Sequence, residues 1–482
     1  MFNYYKEKKT GIITLLIIYL STLVPVGFVN FPYIDDNLRR ANGIPNFGAH
    51  YSRWVSEIAS WVVQGSRRVT DLGLTTFILS AFILTVTSVL FVYVLVGKKA
   101  TILSFILSSI IGLNPWFLNA VAFRFDTPYI SLSLLFSVLP FLWWKKEKRN
   151  FVIFSTIGLF CMYNTYQASS GIYLVLALLM LLTDFLNGKE VKNVVLLGLY
   201  SLLSFFLGTV LYMGQLQILP ATANETSQIM KDDYFSKIVT NLHTYFSTIY
   251  HHSARIWIFM SVVSILCFAF SMLYQVKIAK KLAFGYLSIY FILSAIASFG
   301  IYIFLENPIA PDAPRYNYGF AVWLISMFIL ASTQIRLKPI NILKNVVFGL
   351  FSYYLISFVF VFSSMLHIQK DIFEHQSIML AQELTQIYEP GDQVFIQGFL
   401  RDSEVFKSTT RNYPILSQIV PSNIHSTYFN QLWFSQATGM PQMNATPVGF
   451  DAQSYFKGHE TRQSNFRFDI YKIEQTIYVI TK

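Results

Sequence analysis

Two adjacent carboxylates follow the first long apolar run of the chain at a distance of a few residues. They are Asp35 and Asp36, and Arg39 and Arg40 come shortly after them. A carboxylate beside a low-dielectric surface tends to have a raised pKa, and it can accept a proton from a hydroxyl group. The pair therefore predicts a general base. In the alternative interpretation one carboxylate caps a following helix and the arginines are solvated partners; the residues alone leave both interpretations open.

Two further polar stretches carry arginines that can hold an anion. Arg124 and Asp126 are two residues apart in a stretch expected to be extended, so their side chains would point the same way and could pair. A purely structural salt bridge is the alternative. Arg315 follows Pro314 at the head of an apolar run. A guanidinium there is placed to meet a lipid phosphate, although it can equally extend to the headgroups.

Aromatic side chains accompany these charges. Tyr166 and Gln167 belong to a polar, aromatic patch suited to sugar stacking and hydroxyl recognition, although interfacial tyrosine belts have the same composition. An amphipathic helix is predicted around Trp54, lying in the membrane interface or serving as a plain scaffold. Its apolar face holds Trp54, Val55, Ile58, Trp61 and Val62, and its other face holds Arg53, Ser56, Glu57 and Ser60.

A metal site is not expected. His243, His251 and His252 lie near Asp232 and Asp233, but no His-x-x-x-His spacing with a third ligand occurs, so surface histidines are favoured. The two cysteines, Cys161 and Cys267, lie inside apolar runs, where a thiol usually behaves as a small hydrophobic group.

Composition decides which kind of scaffold positions these residues. The 482 residues are 54% hydrophobic and 13% charged, whereas soluble domains have roughly 25% charged residues. A soluble surface needs more charge than this, so the chain is expected to be a polytopic α-helical membrane protein. Eleven apolar runs are long enough to be candidate spans. They cover approximately 10–29, 72–96, 100–118, 128–144, 150–165, 168–187, 193–215, 254–275, 282–305, 316–335 and 345–368.

The distribution of Lys and Arg predicts the orientation of these spans. Basic residues collect in alternate connections, which carry more positive charge than the whole formal net charge of +11. Cytoplasmic loops have this bias, so the N-terminus is expected in the cytoplasm and the tail outside. The excess charge is topological and does not indicate nucleic-acid binding, which would need a clustered basic face. The first run is interpreted as a retained span.

Two domains are expected. Residues 1–368 form a transmembrane domain whose external loops hold the candidate chemistry, and residues 369–482 form a small external α+β domain. In the tail, a helix is predicted over 371–388 and a strand over 393–397. The alternation around Phe468 and the run at 477–480 predict a hairpin.

Several of these stretches together resemble the bacteriophage-encoded serotype-converting O-antigen glucosyltransferases, the Gtr group of enteric bacteria. The order, spacing and sidedness of the stretches carry the resemblance. They are Tyr33-Ile34-Asp35-Asp36, Asn114-Pro115-Trp116-Phe117, Phe123-Arg124-Phe125-Asp126, Tyr166-Gln167-Ala168-Ser169 and Pro314-Arg315.

The resemblance implies a GT-C-like glycosyltransferase of the bacterial inner membrane. Such an enzyme moves glucose from undecaprenyl-phosphate glucose to a sugar of the lipid-linked O-antigen repeat at the periplasmic face. The reaction of its class inverts the configuration at the anomeric carbon, so inversion is expected here. It acts beside a glucosyl-lipid synthase and a small flippase. The resemblance assigns the base to Asp35 or Asp36, with a marginal preference for Asp36. Some GT-C enzymes use a divalent metal, but no set of ligands for one is found in this sequence, so no metal or other cofactor is expected. The donor phosphate is assigned to Arg40, Arg124 and Arg315, and substrate contacts to Arg39, Asp126, Tyr166, Gln167 and Trp54.

Two other functions remain as alternatives. Eleven spans would suit a transporter or flippase for polyprenyl-linked sugars, but transporters keep ionisable or broken segments at the membrane midplane, and here the charges lie at the external ends. An acyl or phosphoethanolamine transferase acting on the same polysaccharide would need a nucleophile, for which His243, His251 and His252 are the candidates.

Overall fold

A computed structural model describes residues 2–222, 228–333 and 338–482. The chain forms two compact units by its internal contacts. The first unit holds the residues up to Phe28 together with Ile44–Val361, and the second holds Val29–Gly43 together with Phe362–Lys482. The end of the predicted span 316–335 and a few residues of the loop between 216 and 253 lie outside the described residues.

The described part of the chain is mostly helical. Its helices up to the start of the tail are α1 (Phe2–Glu7), α2 (Lys9–Val29), α3 (Asp36–Asn42), α4 (Phe47–Tyr51), α5 (Trp54–Gln64), α6 (Thr75–Leu95), α7 (Ile102–Leu113), α8 (Pro115–Val121), α9 (Thr127–Val138), α10 (Lys148–Tyr163), α11 (Ser170–Leu186), α12 (Val191–Ile218), α13 (Tyr234–His252), α14 (Arg255–Gln275), α15 (Lys280–Ala297), α16 (Tyr318–Ala331) and α17 (Lys338–Thr385). Short 3₁₀ turns occupy Gly97–Lys99, Leu139–Trp143, Gln167–Ser169, Gly300–Phe304 and Pro314–Asn317.

Seven helices among the described residues are long and apolar enough to cross a membrane. They contain α2, α6, α11, α12, α14, α15 and α17. Their outward faces carry large apolar side chains such as Phe206, Leu266 and Ile292, each of which is more than half exposed. Exposed apolar faces of this extent need an apolar surrounding, so the chain is a polytopic helical membrane protein.

The remaining predicted spans correspond to shorter or broken helices. The run at 100–118 is the bent pair α7 and α8, which would count as an eighth span. The runs at 128–144, 150–165 and 316–335 contain α9, α10 and α16, which are shorter than the seven long helices. The predicted number of eleven spans therefore stays a prediction, because it needs these shorter helices to cross as well.

The sequence Asn114-Pro115 explains the bend between α7 and α8. Asn114 is extended, and its side-chain oxygen accepts a hydrogen bond from the backbone N–H of Phe117 at 2.9 Å. Its amide nitrogen donates to the carbonyls of Ile110 and Ile111. One side chain thus satisfies backbone groups at the end of α7 and at the start of α8, and Pro115 occupies a first-turn position where no N–H is needed. The two helices meet at 56°.

Glycines allow three elements to meet around the carbonyl of Ser298. A Cβ on Gly171 in α11 or on Gly319 in α16 would lie 2.1 Å from that oxygen. Gly300 has a φ of +56°, and a Cβ there would lie 2.1 Å from the hydroxyl oxygen of Ser170. Only glycine fits such contacts, so the turn Gly300–Phe304 is held against the first turn of α11.

The second unit contains a five-stranded sheet. The tail adds helices α18 (Glu404–Asn412), α19 (Leu416–Ile419), α20 (Tyr428–Thr438) and α21 (Ala452–Tyr455), and strands β1 (Gln393–Gln397), β2 (Asn444–Ala445), β3 (Gln463–Ser464), β4 (Phe468–Ile473) and β5 (Thr476–Thr481). The strand order is β2-β1-β5-β4-β3. Strand β1 pairs in parallel with β5, and β4 and β5 form an antiparallel hairpin that brings Ile470 opposite Val479. Alternate residues such as Val394, Ile396 and Ile477 are buried, as a half-buried sheet requires.

The segment Val29–Gly43 packs with the tail inside this unit. Trp433 of α20 stacks on Phe373 at a centroid distance of 3.9 Å and meets Phe31 edge-on at 5.2 Å. The hydroxyl of Tyr33 donates to the carbonyl of Ile419 at 2.7 Å, and the side chain of Gln436 donates to the carbonyl of Asn37 at 3.0 Å.

Candidate functional site

The carboxylate pair lies in a tight turn of the second unit. Ile34 has a φ of 45°, in the left-handed region that β-branched residues rarely adopt, which costs on the order of 1–3 kcal/mol. The N–H of Asp36 donates to the carbonyl of Tyr33 at 3.0 Å, and α3 begins at Asp36. The strained turn fixes the direction in which the two carboxylates leave the chain.

The two carboxylates have different surroundings. Asp36 is fully buried, and its Oδ2 accepts a hydrogen bond from the N–H of Tyr33 at 3.3 Å. Asp35 is half-buried and occupies the N-cap position of α3, but its side chain accepts no capping hydrogen bond. The capping interpretation therefore does not describe the side chain of Asp35. Both acids remain candidates for the base, with Asp36 fixed in place and Asp35 more accessible.

The two arginines of this loop also differ. Arg39 is only 5% exposed. An arginine this deeply buried is almost always paired with other groups. Arg40 is half-buried and donates from Nη2 to the side-chain oxygen of Asn30. Their predicted roles, substrate contact for Arg39 and phosphate binding for Arg40, stay predictions.

In the first unit, five side chains from distant parts of the sequence form one cluster. We call Arg53, Tyr166, Tyr302, Arg315 and Tyr316 the Arg53 cluster. The guanidinium of Arg53 lies over the ring of Tyr166 at 4.6 Å. The Tyr166 ring is nearly parallel to that of Tyr316 at a centroid distance of 6.2 Å, and Tyr302 meets Tyr316 edge-on at 4.9 Å. The guanidinium of Arg315 lies 5.1 Å from the centroid of Tyr316.

Gln167 fixes the orientation of Arg53. The Nε of Arg53 donates to the side-chain oxygen of Gln167 at 3.2 Å, and the amide nitrogen of Gln167 donates to the hydroxyl of Tyr212 at 2.8 Å. Arg53 also lies over the ring of Tyr51 at 4.8 Å. A guanidinium held by a hydrogen bond and two rings is ordered before any anion arrives, which lowers the entropic cost of binding one.

The charges of the cluster act on its phenols. Burial raises the pKa of Tyr166 well above its ordinary value, although Arg315 and Arg53 partly oppose this effect. Burial lowers the pKa of Arg53, whereas the neighbouring phenols and the charge of Asp126 raise it more strongly. The two guanidinium groups give the cluster two positive charges, as an anion site requires.

Arg315 is anchored by its backbone. Its N–H donates to the side-chain oxygen of Asn119 in α8 at 3.2 Å, and its guanidinium lies 5.1 Å from the ring centroid of Phe123. Two residues later, Asn317 is fully buried, and neither polar atom of its side chain has a hydrogen-bond partner among the described residues. A buried amide in this state is a candidate for contact with a polar ligand.

The prediction that Arg124 and Asp126 lie in an extended stretch is wrong. Residues 123–126 form a turn, in which the N–H of Asp126 donates to the carbonyl of Phe123 at 3.1 Å. The guanidinium of Arg124 is largely buried, forms an ion pair with Asp71, and donates to the carbonyl of Gly27 at 3.1 Å. The turn forms because the following helix α9 starts at Thr127, with Pro128 in its first turn. The phosphate-binding role of Arg124 stays a prediction.

Helix α5 exists as predicted, and its polar face points inward. Ser56 and Ser60 are buried, whereas Ile58 and Val62 are 52% and 78% exposed. An apolar outer face suits a helix that lies in a membrane interface. The indole of Trp54 packs closely on Gly48, where an added Cβ would lie 2.6 Å from the ring. The predicted role of Trp54 as a substrate contact stays a prediction.

No group of three or more His, Cys, Asp or Glu side chains that could hold a metal ion occurs in the part of the chain that the structure describes. His243, His251 and His252 all lie on α13. Burial lowers the pKa of His252, with a smaller contribution from His251.

Sequence patterns pointed to only part of this geometry. Tyr166, Gln167 and Arg315 were predicted, and the structure brings them together around Arg53; Asp126 contributes charge there. Tyr302 and Tyr316 were not predicted, and Arg53 was assigned only to the polar face of α5. The signal available for Tyr316 was its position beside Arg315 in a loop at the end of a span. Nothing local distinguished Tyr302 from other aromatic residues near apolar runs.

One comparison with known proteins gives a match. The family model described as Glucosyl transferase GtrII matches residues 24–326, which is more than half of the chain. The match includes Asp35, Asp36 and the whole Arg53 cluster. No curated protein matches the chain.

Proposed function

The chain belongs to the GtrII glucosyl transferase family, and from this premise we propose that it transfers glucose from undecaprenyl-phosphate glucose to a sugar of the lipid-linked O-antigen repeat. The transfer modifies the polysaccharide and converts the serotype of the cell. The Arg53 cluster carries this proposal, because its two guanidinium groups suit the phosphate of a lipid donor and its tyrosines suit a sugar ring.

The chemical step needs one proton acceptor. The acceptor hydroxyl oxygen attacks the anomeric carbon of glucose, a new C–O bond forms, and the bond from that carbon to the phosphate oxygen breaks. The hydroxyl proton goes to the carboxylate of Asp36 or Asp35, and the electron pair of the broken bond leaves with the lipid phosphate. Attack opposite the leaving group inverts the anomeric configuration, as the resemblance to GT-C enzymes implies.

The departing phosphate gains negative charge and needs stabilisation rather than a proton. Ordered cations at the place where charge develops lower the barrier to such a step. Arg315 and Arg53 are suited to this role by their fixed orientation, with Arg40 and Arg124 as further candidates from the sequence. We propose that no metal ion is required.

The reaction is assigned to the periplasmic face of the bacterial inner membrane. The N-terminus is in the cytoplasm, the C-terminal α+β domain is periplasmic, and eleven spans connect them. The charge asymmetry of the connections supports this orientation. The donor is made and moved across the membrane by two partners, a glucosyl-lipid synthase and a small flippase.

Substitution of the two carboxylates tests the assignment of the base. Asp36→Asn and Asp35→Asn are each expressed in cells that carry the unmodified O-antigen, and glucosylated repeats are quantified by mass spectrometry. Loss of the general base is expected to lower the rate by about 10²- to 10⁴-fold in one of the two variants. Asp312→Asn, at an exposed carboxylate of another loop, is the control and is expected to match the parent. Parental activity in both single variants and in the double variant would remove the base from this loop.

A further inference from the structure

An apolar cavity of about 270 Å³ opens in the first unit. Its walls come from the end of α7 and start of α8, the end of α13, the first half of α14, the start of α16 and the middle of α17. Aliphatic and aromatic side chains share the walls, the aromatic ones including Trp116, Phe246, Trp257, Phe320 and Phe351. The surrounding helices α14 and α17 are candidate membrane spans, so a lipid chain can reach the cavity from the bilayer.

Few polar groups line this cavity, and the most polar of them, the amide of Asn114, is already satisfied. The side chain of Asn114 makes three hydrogen bonds to backbone groups of α7 and α8 and has little left to offer a ligand. The indole N–H of Trp116 differs, because it is buried and has no acceptor among the described residues. The cavity thus accepts a hydrocarbon chain along its mostly apolar walls, and the indole N–H of Trp116 can donate to a hydrogen-bond acceptor at one end.

Two elements that line the cavity also hold Arg315 of the Arg53 cluster. Phe320 lines the cavity and lies five residues after Arg315 on the segment that leads from Pro314–Asn317 into α16. Trp116 lies in α8, whose Asn119 holds the backbone of Arg315. The ring of Trp116 meets that of Phe320 edge-on at 6.4 Å. One end of the cavity is therefore walled by the two elements, α8 and the start of α16, that also hold the backbone of Arg315 in place.

We infer that this cavity holds the isoprenoid chain of a lipid phosphate, with its phosphate at Arg315 and Arg53. The inference rests on the proposed function, since it identifies where the donor lipid enters. Charge complementarity favours an anionic phosphate at the cationic end. A branched isoprenoid chain has methyl groups and double bonds that can pack against the aromatic side chains of the walls. The experiment below distinguishes it from a phospholipid acyl chain in the same cavity.

Photocrosslinking tests the occupant. The full chain is reconstituted in phosphatidylglycerol nanodiscs with polyprenyl phosphate that carries a diazirine in its chain, and adducts are mapped by peptide mass spectrometry. Adducts are expected on α14 and α16 at wall residues such as Ile258 and Leu324. The variant Ser261→Trp fills the cavity from α14 and is expected to lower the yield of adducts on the wall residues about fivefold. Leu266→Trp, on an exposed part of α14 outside the cavity, is the control and is expected to label as the parent does.

Two results would overturn the inference. The first is adducts that map away from the cavity or persist in Ser261→Trp. The second is a diazirine-bearing phosphatidylglycerol that labels the same residues and competes equally with polyprenyl phosphate.

A kinetic measurement separates this inference from the proposed function. With a long-chain glucosyl donor, Ser261→Trp is expected to raise KM about tenfold with kcat nearly unchanged, whereas a donor of two isoprene units should show no change in KM. Equal effects on both donors would contradict a chain-binding cavity even though transfer occurs. Labelling of the cavity by polyprenyl phosphate without any glucose transfer would support the cavity and overturn the proposed function instead.

Discussion

At the scale of single residues, the two arginines of the Arg53 cluster act in different ways. Arg53 is held by Gln167 and lies between the rings of Tyr51 and Tyr166. Arg315 is fixed by its backbone, through Asn119, and its guanidinium lies against two rings. Only Arg315 adjoins the segment that lines the apolar cavity, so it is the better candidate for contact with the departing phosphate.

Removal of the Arg315 guanidinium tests that role. Arg315→Ala is expected to lower kcat by about 10²- to 10³-fold, the usual effect of losing one charge-stabilising donor in a transition state. Arg315→Lys should recover part of the rate, because it keeps the charge but loses the planar fork. The matched control is Arg68→Ala, at an exposed arginine. Initial rates with a purified lipid donor check the result, and parental kcat in Arg315→Ala would contradict it.

At the scale of elements, the close contacts around Ser298 determine where Tyr302 and Arg315 lie. The turn Gly300–Phe304 carries Tyr302, and α16 begins directly after the turn that carries Arg315. Gly171 and Gly319 both approach the same carbonyl of Ser298. The positions of α11, α16 and the Gly300 turn are therefore coupled through one backbone oxygen.

Gly319→Ala is expected to separate these elements. The added Cβ would lie 2.1 Å from the Ser298 carbonyl oxygen, and overpacking of this kind costs roughly 1–3 kcal/mol. Gly285→Ala in α15 is the control, since an added Cβ there meets nothing within 4 Å. Thermal unfolding of the purified protein in detergent should show a lower midpoint for Gly319→Ala and a parental or higher one for Gly285→Ala. Equal midpoints for the two variants would show that the contact is not tight.

The elements also show what local sequence can and cannot reveal. The run at 254–275 corresponds to α14, Arg255–Gln275, because length and apolar composition suffice to identify a long helix. Residues 123–126 form a turn where an extended stretch was expected. The grouping of Val29–Gly43 with the tail depends on contacts such as that of Tyr33 with Ile419, and no local pattern encodes contacts between such distant residues. Arg53 was missed as a centre of the cluster for the same reason.

At the scale of the whole molecule, the proposed orientation rests on the distribution of charge among the connections. The C-terminus lies outside only if α10 crosses the membrane, since the loss of one span reverses the orientation of every later segment. Alkaline phosphatase fused after Lys482 is expected to be active, and the same fusion after Gly188 is expected to be inactive. Green fluorescent protein fusions at the two positions should give the opposite pattern. An inactive phosphatase at Lys482 would reverse the orientation of the tail.

Glucosyl transfer from a polyprenyl-phosphate donor can be measured directly with the purified chain. The purified chain is incubated with undecaprenyl-phosphate glucose and the lipid-linked O-antigen repeat, and both products are quantified by mass spectrometry. Each turnover is expected to give one glucosylated repeat and one undecaprenyl phosphate, with the product anomer opposite to that of the donor. No transfer from this donor, together with transfer from a nucleotide-linked glucose, would contradict the proposed transfer.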